Sequence, residues 1–431
     1  PNTTSRTYTI LEDLVLTDHQ TWFVGTNTPG VTALSVRGVI DDGLLPCNIL
    51  KSGFGALTLS ASNTFDGSFT VNEGDLTISH AQALGSTNGS TVINGSMGGR
   101  LFLNGNMTIT EPLILNGERN NAGTLYVVSG SNVLSGALVC SNQVRFNNNG
   151  NPLVVSGGVT ADNNGLFVIN AGATVTFTDK PLNLGTRTFW ADSGGTTVLA
   201  VPGNTWGDTM LAGGTLRCEV PNALPPSSVL RIGVWYSPSG TLDLRGNDQT
   251  VGKFYLETSV SASRTVTSAT PACLTVNQSD NTLIDARFTG AVSLLKAGTG
   301  TLTMTNAFTS TAGSFTVTNG TLAVTRDGTF GPNSTNIFVL GAGTLALSNS
   351  VAIADTATVW MPPAGVSTAK INLNDGVNEK VGWLIFGGKI QPAGTYGSSS
   401  SSAVHKDDTH FAGKGVLTVW FSKSGTLLGL R

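Results

Sequence analysis

A short phrase, glycine followed by threonine and leucine, returns along this chain at Gly123, Gly214, Gly240, Gly300, Gly320, Gly343 and Gly425. Looser Gly-x-Leu versions begin at Gly55, Gly74 and Gly99. The intervals are 19 residues from Gly55 to Gly74, 25 to Gly99 and 24 to Gly123, then 20 from Gly300 to Gly320 and 23 to Gly343. A fixed unit with slack in its loops is the signature of a repeat architecture, in which no unit buries its apolar face without neighbours on both sides. For 431 residues the ordinary expectation is two or three globular domains, but a repeat protein of this length runs as one continuous body.

Each glycine opens a stretch in which every second residue is apolar: Leu57-Thr-Leu59, Leu76-Thr-Ile78, Leu302-Thr-Met304 and Leu345-Ala-Leu347. Period two turns one face inward and leaves threonine or serine outward, which is the pattern of a strand. The strands last four or five residues before Gly, Asn or Ser turns them, and no stretch carries a helical stripe. The same strand phrase returns after a full unit rather than after a two-residue hairpin turn, so equivalent strands stack in parallel. The expected fold is all-β, a single right-handed parallel β-helix with about three short strands per coil and terminal capping or assembly segments. Residues 1–24 form the N-terminal strand, cap or assembly segment, 25–380 the β-helix of 19–26-residue coils, and 381–431 a closing module with an apolar tail. Roughly eighteen coils stacked at ~4.8 Å make a rod of ~90 Å. Pro221, Pro225 and Pro226, and Pro362 with Pro363, mark longer loops between coils.

Charge narrows the function classes. Charged residues are 11% of the chain, against ~25% in ordinary soluble domains. Between Arg145 and Asp179 the only charge is Asp162. Such a surface is covered by Thr, Ser, Asn and Gly, as on exported surface proteins. A net charge of −3 opposes association between copies only weakly, and a pI near 5.8 with no large basic patch argues against nucleic acid. The longest apolar runs, Val381 to Gly388 and Val416 to Phe421, fall far short of the ~18–20 residues of a membrane helix, so no membrane insertion is expected. Cys47, Cys140, Cys218 and Cys273 stand far apart without a CxxC pair, which excludes zinc spacing. They are either buried small hydrophobes or one or two disulfides, and three pairings are open. A chain that begins at Pro1 is what remains after removal of a signal peptide, or an excerpt of a larger precursor.

Two segments carry a more specific pattern. The first is Lys51-Ser-Gly-Phe-Gly-Ala-Leu-Thr-Leu-Ser, continued by Asn63-Thr-Phe-Asp-Gly-Ser-Phe-Thr-Val-Asn-Glu-Gly-Asp-Leu-Thr-Ile78. The second is Lys296-Ala-Gly-Thr-Gly-Thr-Leu-Thr-Met, continued by Gly313-Ser-Phe-Thr-Val-Thr-Asn-Gly-Thr-Leu322. Phe69 and Phe315 are equivalent, as are Leu76 and Leu322. Both segments resemble the autotransporter-associated β-strand repeat. The resemblance implies a bacterial exported passenger with a parallel β-helix fold. Gly394-Thr-Tyr-Gly397, a serine run, and Phe411 to Val419 are similar to the closing module of such surface proteins. The sequence departs from that family in showing no outer-membrane β-barrel and no Pro-Glu-Pro sorting tail after Val419.

No constellation points to catalysis, metal or cofactor. Glycoside hydrolysis needs two carboxylates at controlled separation. Asp41-Asp42 reads as a turn, and Asp243, Arg245 and Asp248 as a solvated turn with a local ion pair. The densest titratable group, His405-Lys-Asp-Asp-Thr-His410, follows the serine run Ser398–Ser402 and reads as a mobile surface loop rather than a preorganised site. Sequons begin at Asn2, Asn88, Asn94, Asn106, Asn277, Asn319 and Asn333 and mark candidate glycosylation sites. Trp190, Trp206, Trp235 and Tyr236 are candidate glycan contacts, with core or loop packing as the plainer role of each.

The chain ends are the remaining informative feature, because a β-solenoid exposes unpaired strand edges there unless it is capped. Tyr8, Ile10, Leu11, Leu14 and Leu16 near one end, and Leu427, Leu428 and Leu430 near the other, are the candidate self-association residues. Either they join copies head to tail by strand donation, or each terminus folds back as a cap. Three function classes follow: a non-enzymatic extracellular or cell-surface structural protein forming a fibre with itself, a monomeric surface adhesin binding cell-surface or matrix glycans, and a polysaccharide lyase or hydrolase.

Overall fold

The structure, a computed structural model, describes residues 6–25, 32–162, 165–192, 194–256, 263–306, 309–325 and 327–421. It is essentially all-β, a parallel β-solenoid of about 16 turns. Among the described residues the one helical piece is a short 3-10 turn at Gly95–Met97. The turns are fewer than the repeat length alone predicts, because the 362–369 loop and an antiparallel C-terminal module consume chain without adding parallel coils. The chain divides into two compact units at Pro225 and Pro226, within the proline-rich stretch expected to form a long loop.

The N-terminal unit begins with β1 (Arg6–Ile10), β2 (Leu14–Val15), β3 (Gln20–Phe23), β4 (Thr32–Val36), β5 (Ile40–Asp41), β6 (Ile49–Ser52), β7 (Ala56–Leu59), β8 (Phe69–Val71) and β9 (Gly74–Ile78). Its sheets are parallel, and successive strands of one sheet are one coil apart: β1-β4-β7-β9 lie in one, β3-β6-β8 in a second, and a third starts at Thr108–Ile109. The Gly-x-Leu phrase is the register device. Leu34, Leu57, Leu76, Leu101, Leu125 and Phe146 stand directly above one another as strand partners, and all but Leu34 are fully buried. A one-residue slip would turn this whole column to solvent, so the alternation fixes the register.

Outside, polar residues stack in the same way. The Asn94 side-chain amide donates to Asn72 Oδ1 at 2.6 Å, and the Asn116 amide donates to Asn94 Oδ1 at 2.9 Å. Asn170 donates likewise to Asn147 at 2.8 Å. Such ladders satisfy the polar surface coil by coil without charge.

The C-terminal unit uses longer strands whose pairing is broken by register shifts. Arg264–Asn277 pairs with Arg287–Ala297 across a register shift between Ser268 and Ala272. Its columns are Leu294, Phe315, Ile337, Val359 and Leu384, and Leu302, Leu322, Leu345, Ile371 and Phe411. All four cysteines are free thiols; Cys47, Cys140 and Cys218 are buried and Cys273 is partly so, which settles the alternatives in favour of packing over disulfides. Among the described residues no helix is long and apolar enough to cross a membrane.

Candidate functional site

The first coil is built differently from those that follow. β1 pairs through all five residues with β4, and among the described residues no strand lies on its other side. β3 likewise pairs only with β6. Beyond these edges no described residue covers the core. Ile10, Leu14, Val15, Trp22 and Phe23 line a concavity of about 440 Å³, with Leu34 and Val36 of the next coil beneath them. Tyr8 is 57%, Leu11 68%, Val15 69% and Phe23 64% exposed. Of the candidate association residues here, Leu16 alone is buried, while Ile10 and Leu14 are half-buried.

A loop at the neighbouring corner extends this apolar surface. β2 pairs with β5, and the loop after β5 raises Leu44 and Leu45 to 99% and 73% exposure. It is held rather than loose. The buried carboxylate of Asp42 accepts backbone N–H bonds from Cys47 at 2.8 Å, Asp66 at 2.8 Å and Gly67 at 3.2 Å. Asp41 accepts from the Gly43 N–H and the Thr64 hydroxyl. The turn expected of Asp41-Asp42 is present, and it carries the two exposed leucines at its tip.

The C-terminal candidates Leu427, Leu428 and Leu430 lie outside the described residues, as does Asn2. The chain before them folds back. Gly394–Gly397 pairs antiparallel with Val416–Val419, which runs parallel to Asn378–Val381. Tyr396, Phe411, Leu417 and Val419 are buried inside this module. The His405–His410 segment is ordered within it, contrary to the mobile loop expected. Ser398 donates to the Gly413 carbonyl at 2.6 Å, Val404 N–H to Thr395 at 2.9 Å and Lys406 to the Ser401 carbonyl at 2.8 Å. His410 is buried, stacked on Phe386 at 4.1 Å, with Nδ1 2.6 Å from Asp407 and Nε2 3.0 Å from the Pro362 carbonyl. Burial works against the Asp407 carboxylate, yet the hydrogen bonds from His410 outweigh it and hold its carboxyl below the usual range. Serine runs read as loose from sequence because their hydroxyls have no fixed partner until carbonyls are placed nearby.

The other candidates disperse. Asp243 accepts from the N–H of Arg245 and Asp248 from that of Cys273, as turn residues. No group of three or more His, Cys, Asp or Glu with metal-binding geometry occurs among the described residues. Asn88, Asn106, Asn277 and Asn333 are exposed, Asn319 is half-buried, and the Asn94 amide is committed to the asparagine ladder. Trp206 is buried, whereas Trp235 and Tyr236 form the tip of a tight turn closed by the Val234–Ser237 bridge, 76% and 44% exposed.

Two lysines missed as functional residues explain the specific sequence pattern. Lys51 is fully buried, and its ammonium donates to the carbonyls of Gly53 at 3.0 Å and Glu73 at 2.6 Å. Lys296 is equally buried and donates to Ala297 at 2.5 Å, Gly298 at 2.8 Å and Asn319 at 3.4 Å. Gly53 and Gly298 are equivalent, as are Glu73 and Asn319, so the same clasp ties each coil's turn to that of the next. Gly74, at φ +71°, must be glycine: a Cβ there would come within 2.6 Å of the Gly55 carbonyl and 2.8 Å of the Lys51 ammonium. Desolvation lowers both lysines to about 8. The signal was in the sequence, as Lys-x-Gly-x-Gly-x-Leu in both copies.

A model of the passenger-associated-transport-repeat family matches residues 49–78 and 294–324, the two segments that hold these clasps. Those two segments of the chain are similar to that repeat. The repeat is autotransporter-associated, and together with the β-solenoid fold it fits a passenger-like surface protein. No curated protein and no solved structure matches it. In both repeats the lysine clasp and the leucine column lie in one coil step, Leu57 under Leu76 and Leu302 under Leu322.

A third clasp joins coils outside the repeats. Arg187, 1% exposed, donates to the carbonyls of Asp162, Asn142 and Cys140 and pairs with the Asp162 carboxylate, reaching across two coils.

Proposed function

We propose that the protein is a non-enzymatic extracellular structural protein whose copies associate through the edge of the first coil. The observation that supports this most is the combination, among the described residues, of a five-residue edge strand without a second partner and an apolar concavity beside it. An edge of that kind accepts an added strand through backbone hydrogen bonds, while apolar pockets next to it select alternate side chains. The occupant we assign is the apolar segment Thr426-Leu-Leu-Gly-Leu430 of a second copy, adding as a strand along β1 and seating leucines in the concavity. Low charge and a net charge of −3 favour such contacts over repulsion. A head-to-tail contact whose rotation does not close a ring grows into a fibre.

Sedimentation velocity across a concentration series tests it. The full chain is expected to form species larger than a monomer, and the Leu11→Lys, Val15→Lys double variant to stay monomeric. Deleting 422–431 should also give folded monomer. Assembly unchanged in both variants would refute the reading. A monomeric adhesin is the second reading, favoured by the exposed Trp235–Tyr236 tip, whose aromatic faces suit sugar rings. That reading requires Trp235→Ala to lose attachment to a glycan surface while the full chain remains monomeric.

A further inference from the structure

In a chain so short of charge, the outer face of the N-terminal unit gathers two arginines and the ring of Phe54 around one groove, with Phe102 and Tyr126 beside one of the arginines. The groove encloses about 400 Å³ and is lined by Phe54, Gly74, Gly95, Gly98, Arg100 and Arg119 among others. Arg100 is held in place: its Nε and Nη2 lie 2.8 Å and 2.7 Å from Asp75 Oδ1. Its guanidinium lies over the rings of Phe102 and Tyr126, which stack on one another at 4.7 Å and 11°. Arg119 is exposed and lies 5.7 Å from the centre of the Phe54 ring. Among the described residues no carboxylate pairs with it. Its neighbour Glu118 is turned to other partners, accepting from the Gly123 N–H at 2.9 Å, from Gln143 and from Arg145 at 3.3 Å. The groove therefore carries a guanidinium without a carboxylate pair among the described residues, beside an aromatic face.

Its floor is kept open by glycine. Gly98 ends the 3-10 turn at φ +105°, and a Cβ there would stand 3.3 Å from the Phe54 ring and 3.5 Å from the Arg119 guanidinium. A side chain at that position would fill the space between the two groups.

We infer that this groove binds an acidic glycan, a sugar chain bearing carboxylates. Aromatic faces take the apolar face of a sugar ring, and the planar guanidinium fork matches a carboxylate with two parallel hydrogen bonds. The volume falls within the ~300–1,000 Å³ of small-ligand sites. One unpaired arginine calls for a ligand with isolated charges. A nucleic acid would need a broad basic surface, which a protein of net charge −3 does not offer. Retention of a carboxylated polysaccharide along the flank is independent of strand pairing at the first coil.

The test is titration calorimetry of the full chain with an oligogalacturonate, its neutral oligogalactose counterpart and dextran sulfate. Binding is expected for the oligogalacturonate and not for the neutral chain. The Arg119→Gln variant, altered at an exposed position and checked for an unchanged melting curve, should bind at least ~10-fold more weakly, as loss of a charge-assisted pair requires. Trp235→Ala and Leu11→Lys should bind as the unaltered protein does. Equal affinity in Arg119→Gln would overturn the assignment, and so would equal binding of the neutral chain. Equal binding of dextran sulfate would reduce the site to general polyanion attraction and overturn it as well.

Discussion

In the first coil, the strand Arg6–Ile10 has one edge without a partner among the described residues, and Leu11, Val15 and Phe23 are exposed beside it. In the C-terminal module the strands are two to four residues long and Gly394–Gly397 reverses direction against Val416–Val419. Its exposed aromatics still have partners: Phe421 packs on Trp383 at 5.5 Å and Lys380 lies over Trp420 at 5.2 Å, while the buried Tyr396 donates to the Pro392 carbonyl at 2.8 Å. Short strands and a reversal are standard ways to blunt an edge, and the first coil uses neither on β1. The difference is the basis for the proposed association. A strand edge without such devices is open to an added strand, here proposed to come from another copy.

The comparison breaks first at the first coil. Placing lysines at Leu11 and Val15 should abolish association entirely with little change in melting temperature, because both side chains are already exposed. Damaging the module should do the reverse. His410→Ala removes the contacts with Asp407 and Pro362 and the stack on Phe386, costing ~2–3 kcal/mol by the usual worth of buried hydrogen bonds. Light scattering should then rise on heating, as the blunted edge opens. The lysine clasps sharpen the account of what lies between. Lys51→Met or Lys296→Met leaves two or three turn carbonyls without their donor and should each cost ~2 kcal/mol in denaturant melts.

The pH dependence has a definite sign. Burial raises Glu111 to about 8 and Glu379 to about 7, from an ordinary 4.5. Between those values the unfolded chain releases protons that the folded chain keeps, so stability falls as pH rises from about 4.5 to 8. Lys51 and Lys296 are lowered to about 8 from 10.5, so their contribution returns as pH rises from 8 to 10.5. Melting temperatures should therefore be higher at pH 5 than at pH 8 and partly recover by pH 10; a maximum at pH 8 would contradict the buried-group account. The smallest effect is at Glu111, whose two carboxyl oxygens are buried without partners among the described residues. Glu111→Met should stabilise by ~1–2 kcal/mol at pH 8 and less at pH 5.

The coils were legible because period-two alternation and the Gly-x-Leu recurrence are properties of neighbouring residues, and Leu57, Leu76 and Leu101 meet as that recurrence predicts. The repeat lysines were legible as a pattern but not as clasps. Nothing local tells a buried lysine from a solvated one until the carbonyls of the next turn close over it. The order in His405–His410 escaped for the same reason, since Asp407 and Pro362 reach His410 only after the module folds back. Leu44 and Leu45 were passed over because exposure of two leucines follows from the Asp42 anchor, a contact with Asp66 and Gly67 one coil away.

The central claim, that the first coil is a pairing edge, is tested most directly by backbone hydrogen exchange of residues 6–10 as protein concentration is raised. The account predicts that these amides gain protection with concentration, and that they lose it in the chain lacking 422–431, while the amides of Val416–Val419 are protected at every concentration. Exchange at residues 6–10 that stays fast in assembled protein would contradict it.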